Sequence, residues 1–397
     1  ADEAAREAEA TRLRAEMVAQ LRAVDALRDP EVERAMLIAP RHRFLPGHPL
    51  GAAYENVAIT TSWERGSPVS SVSQPEIVAV MLQQLRAQPG MRVLEVGAGS
   101  GYNAALLAEL VGPSGSVISL EIDEALAATA GERLAEAGYP PERARVIAGD
   151  GWLGWPAGAP YDRIELTVGA ADLSPAWFEQ LAEGGLLVAP LWLGVTDVSV
   201  ALRKRAGALV SESWALCGFV RLRGEGAQPV DAVRLADQLT LTGPNAAVVA
   251  AQVSALLGSR ARRLWWGLPS SNFIQYLALA SGRMLTLWQS SGRRSRKARG
   301  RFLLYLEGPD GPSMVIFPTR APALLSFGGS AAERFVRTQS EFYRQQGAPP
   351  VERWRMVARP LAADAEPPAP GVTRLTTPHW FYDISIGEET QRGQTSM

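Results

Sequence analysis

The 397-residue sequence predicts a wound α/β sheet with helices on both faces, followed by a smaller α+β module. Three observations carry that expectation. From Gln74 to about residue 190, helical segments alternate with short β-branched runs; a strand at 91–96 runs straight into a glycine-rich turn and a helix; and beyond Gly224-Glu225-Gly226 the rhythm changes. The charge changes at the same place. Residues 1–225 carry 29 acidic and 20 basic side chains, a net −9, whereas 226–397 carry 12 and 20, a net +8. Two units, 1–225 and 226–397, are expected, and the second is expected either to meet something acidic or to dock on the first.

The elements follow in order. Leu13, Met17, Leu21 and Val24 recur at helical spacing, which predicts an amphipathic helix from Ala1 to about Arg28, broken at Asp29-Pro30. A short helix at 31–39 ends at Pro40, and Pro46, Gly47, Pro49 and Gly51 mark a loop. Residues 56–73 show no clear period, and Gly66-Ser67-Pro68 reads as a flexible turn. Then come helix 75–87, strand 91–96, helix 102–110, strand 116–121, helix 123–137, strands 144–148 and 161–168, helix 175–182 and strand 185–190. The segments 198–205 and 208–223, separated by Ala206-Gly207, read as a hairpin closing the sheet. In the second unit, helices are expected at 244–257, 269–281 and 330–345, with strands at 283–288, 302–307, 313–317 and 353–359. The Pro/Ala stretch 362–371 reads as a linker.

Several function classes are excluded. No apolar run approaches the roughly 18 residues that span a bilayer, so no membrane partner is expected. The first residues have interspersed charges and no apolar signal core, the pattern of a cytoplasmic protein. Cys217 has no second cysteine to pair with, and His42, His48 and His379 are too scattered for a metal cage.

The segment 93–102 carries the chemistry. Gly97, Gly99 and Gly101 let backbone approach a ligand, and the helix that begins at Tyr102 offers its positive end. Glycines at this spacing also fit a dinucleotide fold. Glu95 favours another ligand, because a carboxylate there repels a pyrophosphate and suits the cationic methionine portion of S-adenosylmethionine. Glu121, at the end of the next strand, is placed to accept both ribose hydroxyls or stands as a solvated strand-end acid. Asp150 could take an adenine amino group or simply make an Asp-Gly turn.

These residues and their flanks resemble the protein L-isoaspartyl (D-aspartyl) O-methyltransferase family. The likeness extends over 39–46, Ala53-Tyr54-Glu55-Asn56, the serine segment 71–79, the cofactor motif at 93–102, Gly149-Asp150-Gly151, the strand segment 161–170 and 179–188. It implies a Rossmann-like class I methyltransferase sheet and S-adenosyl-L-methionine as cofactor, held by Ser73, Glu95, Val96, Gly97, Ala98, Gly99, Ser100, Gly101, Tyr102, Glu121, Ile122, Gly149, Asp150, Gly151 and Thr167. It also implies that Ser73 sits beside the reacting carboxylate, that Thr167 and Val168 line the substrate groove, and that Tyr54 and Asn56 touch the substrate. Ser73 could equally be a helix cap before Gln74-Pro75. A carboxylate is ionised at neutral pH and attacks a sulfonium methyl without a general base, so catalysis rests on alignment and exclusion of water.

The chain continues about 170 residues past the point where repair enzymes of this family usually stop. Arg293, Arg294, Arg296 and Arg299 belong to a basic run at 293–301 that is either a solvated loop or a docking site for an acidic peptide. No nucleic-acid motif accompanies it, so no nucleic-acid partner is expected. Extended members of the family resemble enzymes that tailor ribosomally made peptides such as lanthipeptides, lasso peptides and graspetides. The leading expectation is therefore methylation of one aspartate of a macrocyclic precursor peptide, leading to aspartimide and then isoaspartate. The alternatives are general isoaspartyl repair and a binding protein with a vestigial cofactor fold.

Overall fold

The computed structural model describes residues 2–64, 67–228, 231–267, 269–290, 298–317, 322–361 and 366–386. Helices α1 (Asp2–Ala23) and α2 (Pro30–Ile38) precede a single-turn helix α3 (Leu50–Ala53). Asp29 caps α2 by accepting from the amides of Glu31 and Val32, and Pro30 occupies the first helical position, where its missing N–H costs nothing. The stretch without a sequence period is a hairpin of β1 (Ile59–Glu64) and β2 (Ser67–Val72). Its register shifts between Thr60 and Trp63, and these bulges erase the two-residue alternation that would have marked it.

Helix α4 (Pro75–Leu85) opens the alternating region: β3 (Arg92–Val96), α5 (Tyr102–Val111), β4 (Ser116–Glu121), α6 (Glu124–Glu136), β5 (Ala144–Ala148), β6 (Tyr161–Leu166), α7 (Pro175–Gln180) and β7 (Leu181–Trp192). Strands β3 to β7 are parallel in the order β7-β6-β3-β4-β5, with β8 (Asp197–Arg205) and β9 (Ala208–Cys217) added antiparallel. The wound sheet expected from sequence is present. The second arm of its closing hairpin ends at Cys217, however, and residues 218–223 leave the ladder to bridge Gly169 through Arg221.

A second, antiparallel sheet is built from β10 (Ala232–Ala236), β11 (Leu239–Thr242), β12 (Arg262–Trp265), β13 (Met284–Ser290), β14 (Ala298–Gly308), β15 (Gly311–Phe317) and β16 (Ala323–Gly328). Helix α8 (Ala246–Leu257) covers one face; α9 (Ser271–Ser281) and α10 (Ala331–Gln345) cover the other. The sequence groups all of 226–397 in one module, but strand pairing divides it. Strands β17 (Arg355–Pro360), β18 (Val372–Thr376) and β19 (Trp380–Ser385) join the first sheet, with β17 beside β9. Residues 366–371, the described part of the predicted linker, lie between β17 and β18; 362–365 are outside the described residues. One apolar core consequently runs through both sheets. It includes Trp177 and Leu187 of the first, Leu277 and Val315 of the second, and Trp354, Trp380 and Tyr382 of the returning strands. Among the described residues no helix is long and apolar enough to cross a membrane.

Buried Asp172 pins the returning segment. Its carboxylate accepts from Thr377 Oγ1 at 2.6 Å, Tyr382 Oη at 2.7 Å, His379 Nδ1 at 2.7 Å and the amides of Leu173 and His379. Removing it strands several buried donors at once, and breaking such a network costs about 3 kcal/mol. Asp172→Ala is expected to lower the unfolding free energy by that amount and Asp172→Asn by less, both read by equilibrium urea denaturation.

Candidate active site

Where β3 ends, Gly97, Gly99 and Gly101 all have positive φ, of 103°, 53° and 93°. Their roles differ. A Cβ at Gly97 would lie 2.8 Å from both Thr167 Oγ1 and Val168 Cγ1, so only glycine lets the turn pass between β3 and β6. A Cβ at Gly101 would press on α6, 3.1 Å from the Ala130 carbonyl oxygen, and that glycine serves helix packing. The turn opens a cavity lined by Val96, Gly97, Ala98, Gly99, Ser100 and Tyr102, by Glu121 and Ile122, by Gly151, and by Thr167 and Val168. Glu121 holds its rim: one carboxylate oxygen accepts from the Gly99 amide at 2.9 Å, and the other lies 3.5 Å from Arg223.

Other expectations are corrected. Glu95 does not reach the cavity; it is fully buried, accepting from the Ser119 hydroxyl and from Asn103 Nδ2 at 2.9 Å. Gly101 and Gly149 are not among the lining residues. Nor is Asp150, whose carboxylate accepts from the amides of Trp152 and Glu225 and so holds the adjoining turns. Thr167 and Val168 line the cofactor-side cavity rather than the outer groove, and the Thr167 hydroxyl donates to the Gly97 carbonyl at 2.6 Å. Tyr54 is a core residue, its hydroxyl 2.8 Å from His42 Nδ1. Asn56 anchors the start of α4, donating to the Glu76 carboxylate and accepting from the Glu76 amide.

Glu165 falls within the family-like strand segment 161–170 but is not singled out by the sequence. It lies opposite Glu95 in the β3–β6 register, lines the cavity, and accepts from the same Asn103 Nδ2 at 2.8 Å. Burial, with repulsion from Glu95, pushes the Glu165 carboxyl up to about 8, and burial, with repulsion from Glu121, pushes the Glu95 carboxyl up to about 7. A cavity offering a ribose-height acid at Glu121, a glycine cradle and a second acid at Glu165 fits S-adenosylmethionine, whose amino acid end is cationic.

A second cavity of about 1260 Å³ adjoins the first. Its walls come from β1–β2 and α4 (Thr60, Glu76), from β7 to β9 (Trp192, Asp197, Cys217), and from the second sheet (Thr242, Met284, Thr286, Trp288, Phe302). Ser71, Ser73, Phe219, Val220 and Arg221 line both cavities, so Ser73 stands at the junction. The segment 219–223 was missed because it reads as the continuation of a strand. Of the basic run, Arg293, Arg294 and Arg296 lie outside the described residues. Arg299 does not face the groove: Gly300 and Phe302 line it, and strand alternation places Arg299 on the opposite face.

Glu165 gives a pH signature. A carboxyl whose folded pKa is raised favours the folded state below its unfolded value, near 4.5, and that contribution is lost as pH rises toward about 8. Glu165→Gln is expected to match wild type near pH 4.5. It should then become progressively more stable than wild type up to pH 8, by at most about 1.4 kcal/mol per pH unit. Thermal melts of both proteins across that range test it.

Comparison with known proteins agrees with the geometry. The family model for protein-L-isoaspartate (D-aspartate) O-methyltransferase matches residues 12–227. A protein-L-isoaspartate O-methyltransferase of Methanopyrus kandleri is 40% identical over 223 residues, 54% of this chain and 92% of the relative. One from Hyperthermus butylicus is 39% identical over 207 residues, 50% of this chain and 83% of the relative. A solved protein-L-isoaspartate O-methyltransferase superposes with a TM-score of 0.51 at 23% identity, covering 87% of this chain and 96% of its own, a likeness of fold. With its cradle, acids and junction serine in place, the chain belongs to the protein-L-isoaspartate (D-aspartate) O-methyltransferase family, S-adenosylmethionine-dependent carboxyl methyltransferases.

Proposed function

We propose that this enzyme methylates the free carboxylate of isoaspartyl residues in a range of damaged proteins. The observation that carries the reading is the outer groove itself: about 1260 Å³, lined by a mixture of small, polar and apolar side chains, with a single cation among its described lining residues, at the junction with the cofactor cavity. Such a channel takes a peptide by its backbone and its carboxylate rather than by one sequence. The extension does not of itself require a dedicated partner, since a solved isoaspartate methyltransferase shares the fold over most of this chain.

Bound S-adenosylmethionine supplies the electrophilic methyl group. The chain's residues do the rest by placement. The glycine turn and Glu121 fix the cofactor-side geometry, and Ser73, lining both cavities, offers a hydroxyl to the acceptor carboxylate. Phe219 and Val220 wall the junction with apolar surface, and excluding water there leaves the carboxylate oxygen poorly solvated and reactive. No proton has to be moved, because the acceptor is already ionised.

The second reading is methylation of a normal aspartate in a macrocyclic, ribosomally made precursor peptide, where the ester is displaced by a neighbouring backbone nitrogen to give aspartimide. What favours it is that the second sheet, through Trp288 and Phe302, forms part of the groove and so touches whatever peptide enters. Transfer from methyl-labelled S-adenosylmethionine to two linear peptides differing only in isoaspartate or aspartate separates the readings. Turnover of the isoaspartyl peptide alone, as an alkali-labile ester, is expected. Silence on both, with S-adenosylhomocysteine binding intact by calorimetry, would overturn broad repair in favour of a dedicated peptide.

A further inference from the structure

We propose that Arg221 is a specificity-determining residue that pairs with the acceptor carboxylate at the junction of the two cavities and releases it once it is methylated. This inference rests on the carboxyl-methyltransfer reading above. Arg221 lines both cavities. It is the only cation among the described residues of the outer groove, whose other charged lining residues are Glu76, Asp197 and Glu352. Among the described lining residues, a carboxylate entering that channel meets a cation only at this side chain.

The guanidinium is held for the task. Its Nη1 donates to Asp197 Oδ1 at 2.7 Å, and its central carbon lies 4.1 Å from the centre of the Trp192 ring. Asp197 is buried and also accepts from the Phe219 amide at 3.0 Å, while the Arg221 backbone bridges Gly169. The Arg221 side chain nevertheless keeps 37% of its surface exposed. Among the described residues Asp197 is its one hydrogen-bond acceptor, so the rest of the planar donor fork is free to face a ligand. A fork fixed at one edge and open at another suits a second carboxylate. Arg223, by contrast, lines only the cofactor cavity and leans on Glu121.

Charge bookkeeping across the step gives the site a direction. One carboxylate oxygen stays with the guanidinium while the other forms the new C–O bond. The methyl C–S bond breaks, its electron pair stays on sulfur, and no proton is exchanged. An anion and a sulfonium cation become a neutral ester and a neutral thioether, so the attraction to Arg221 that gathered the substrate vanishes in the product.

The test compares wild type, Arg221→Lys, Arg221→Gln and the double variant Arg221→Gln/Asp197→Asn, which leaves no unpaired buried acid. Binding is measured for the isoaspartyl and aspartyl peptides and for their isoasparagine and asparagine counterparts, in the presence of S-adenosylhomocysteine. Wild type is expected to prefer acid over amide by at least about tenfold in one pair. Both glutamine-bearing variants should lose that preference with S-adenosylhomocysteine affinity unchanged, kcat/KM falling mainly through KM, and Arg221→Lys should recover part. A preference that survives in the double variant overturns the proposal, as does its absence from both pairs in wild type. The carboxyl-methyltransfer reading is judged separately: loss of preference in the variants without methyl transfer by wild type to either peptide would sink that reading and leave Arg221 as the carboxylate-binding residue.

Discussion

The edge of β9 is the constraint on which the arrangement of the C-terminal half depends. An uncovered edge strand presents a row of unpaired amides and carbonyls, open to association with any other strand. Here β17 pairs with β9, β19 with β17 and β18 with β19, carrying the chain back to the methyltransferase sheet after the second sheet is complete. The second sheet is therefore tethered at both of its ends, through 218–231 and through β17. Trp354 packs on Trp214 across that seam, and Asp172 gathers Thr377, His379 and Tyr382. Tethering of this kind keeps Thr286, Trp288 and Phe302 as a wall of the groove instead of a separately moving lobe.

The cofactor side is governed by a different economy, that of acids in a dry place. Glu95 and Glu165 face each other across β3 and β6 and share one amide donor, Asn103. Asn103 is the one donor they share, Ser119 serving Glu95 alone, and burial with no cation in the pair favours protonated carboxyls. A cationic ligand in the cavity reverses that preference for Glu165, which lines it, more than for Glu95, which does not. Glu121, with the Gly99 amide and Arg223 at its oxygens, lacks this conflict and serves the rim. Three acids in one motif region thus have separate tasks, set by their surroundings and not by their residue type.

What the sequence disclosed and what it withheld follow one division. The strand–turn–helix at 92–111, Glu121 and the alternation through β7 are local patterns, legible because neighbouring residues in the chain are neighbours in space. Ser73 was legible by family resemblance and does stand at the junction of the cavities. The resemblance implies substrate contact for Tyr54 and Asn56, but a family likeness does not say that their polar groups are engaged with His42 and Glu76. Glu165 gains its meaning only from its register opposite Glu95, seventy residues away in the chain. Strands β18 and β19 looked like a tail after a linker, since nothing local says that Trp380 and Tyr382 will be buried against Leu173 and Asp172.

The net charge of a unit and the charge that faces its groove are different quantities. A net +8 in the second unit pointed to an acidic partner, yet the charge that matters is the charge facing the groove. Strand alternation turns Arg299 to the far face while Gly300 and Phe302 face inward, and among the described lining residues of the groove the acids Glu76, Asp197 and Glu352 outnumber the one arginine. Among those described residues, Arg221 is where an entering carboxylate meets a positive partner. A net charge summed over a whole domain carries no information about which charged groups face the groove.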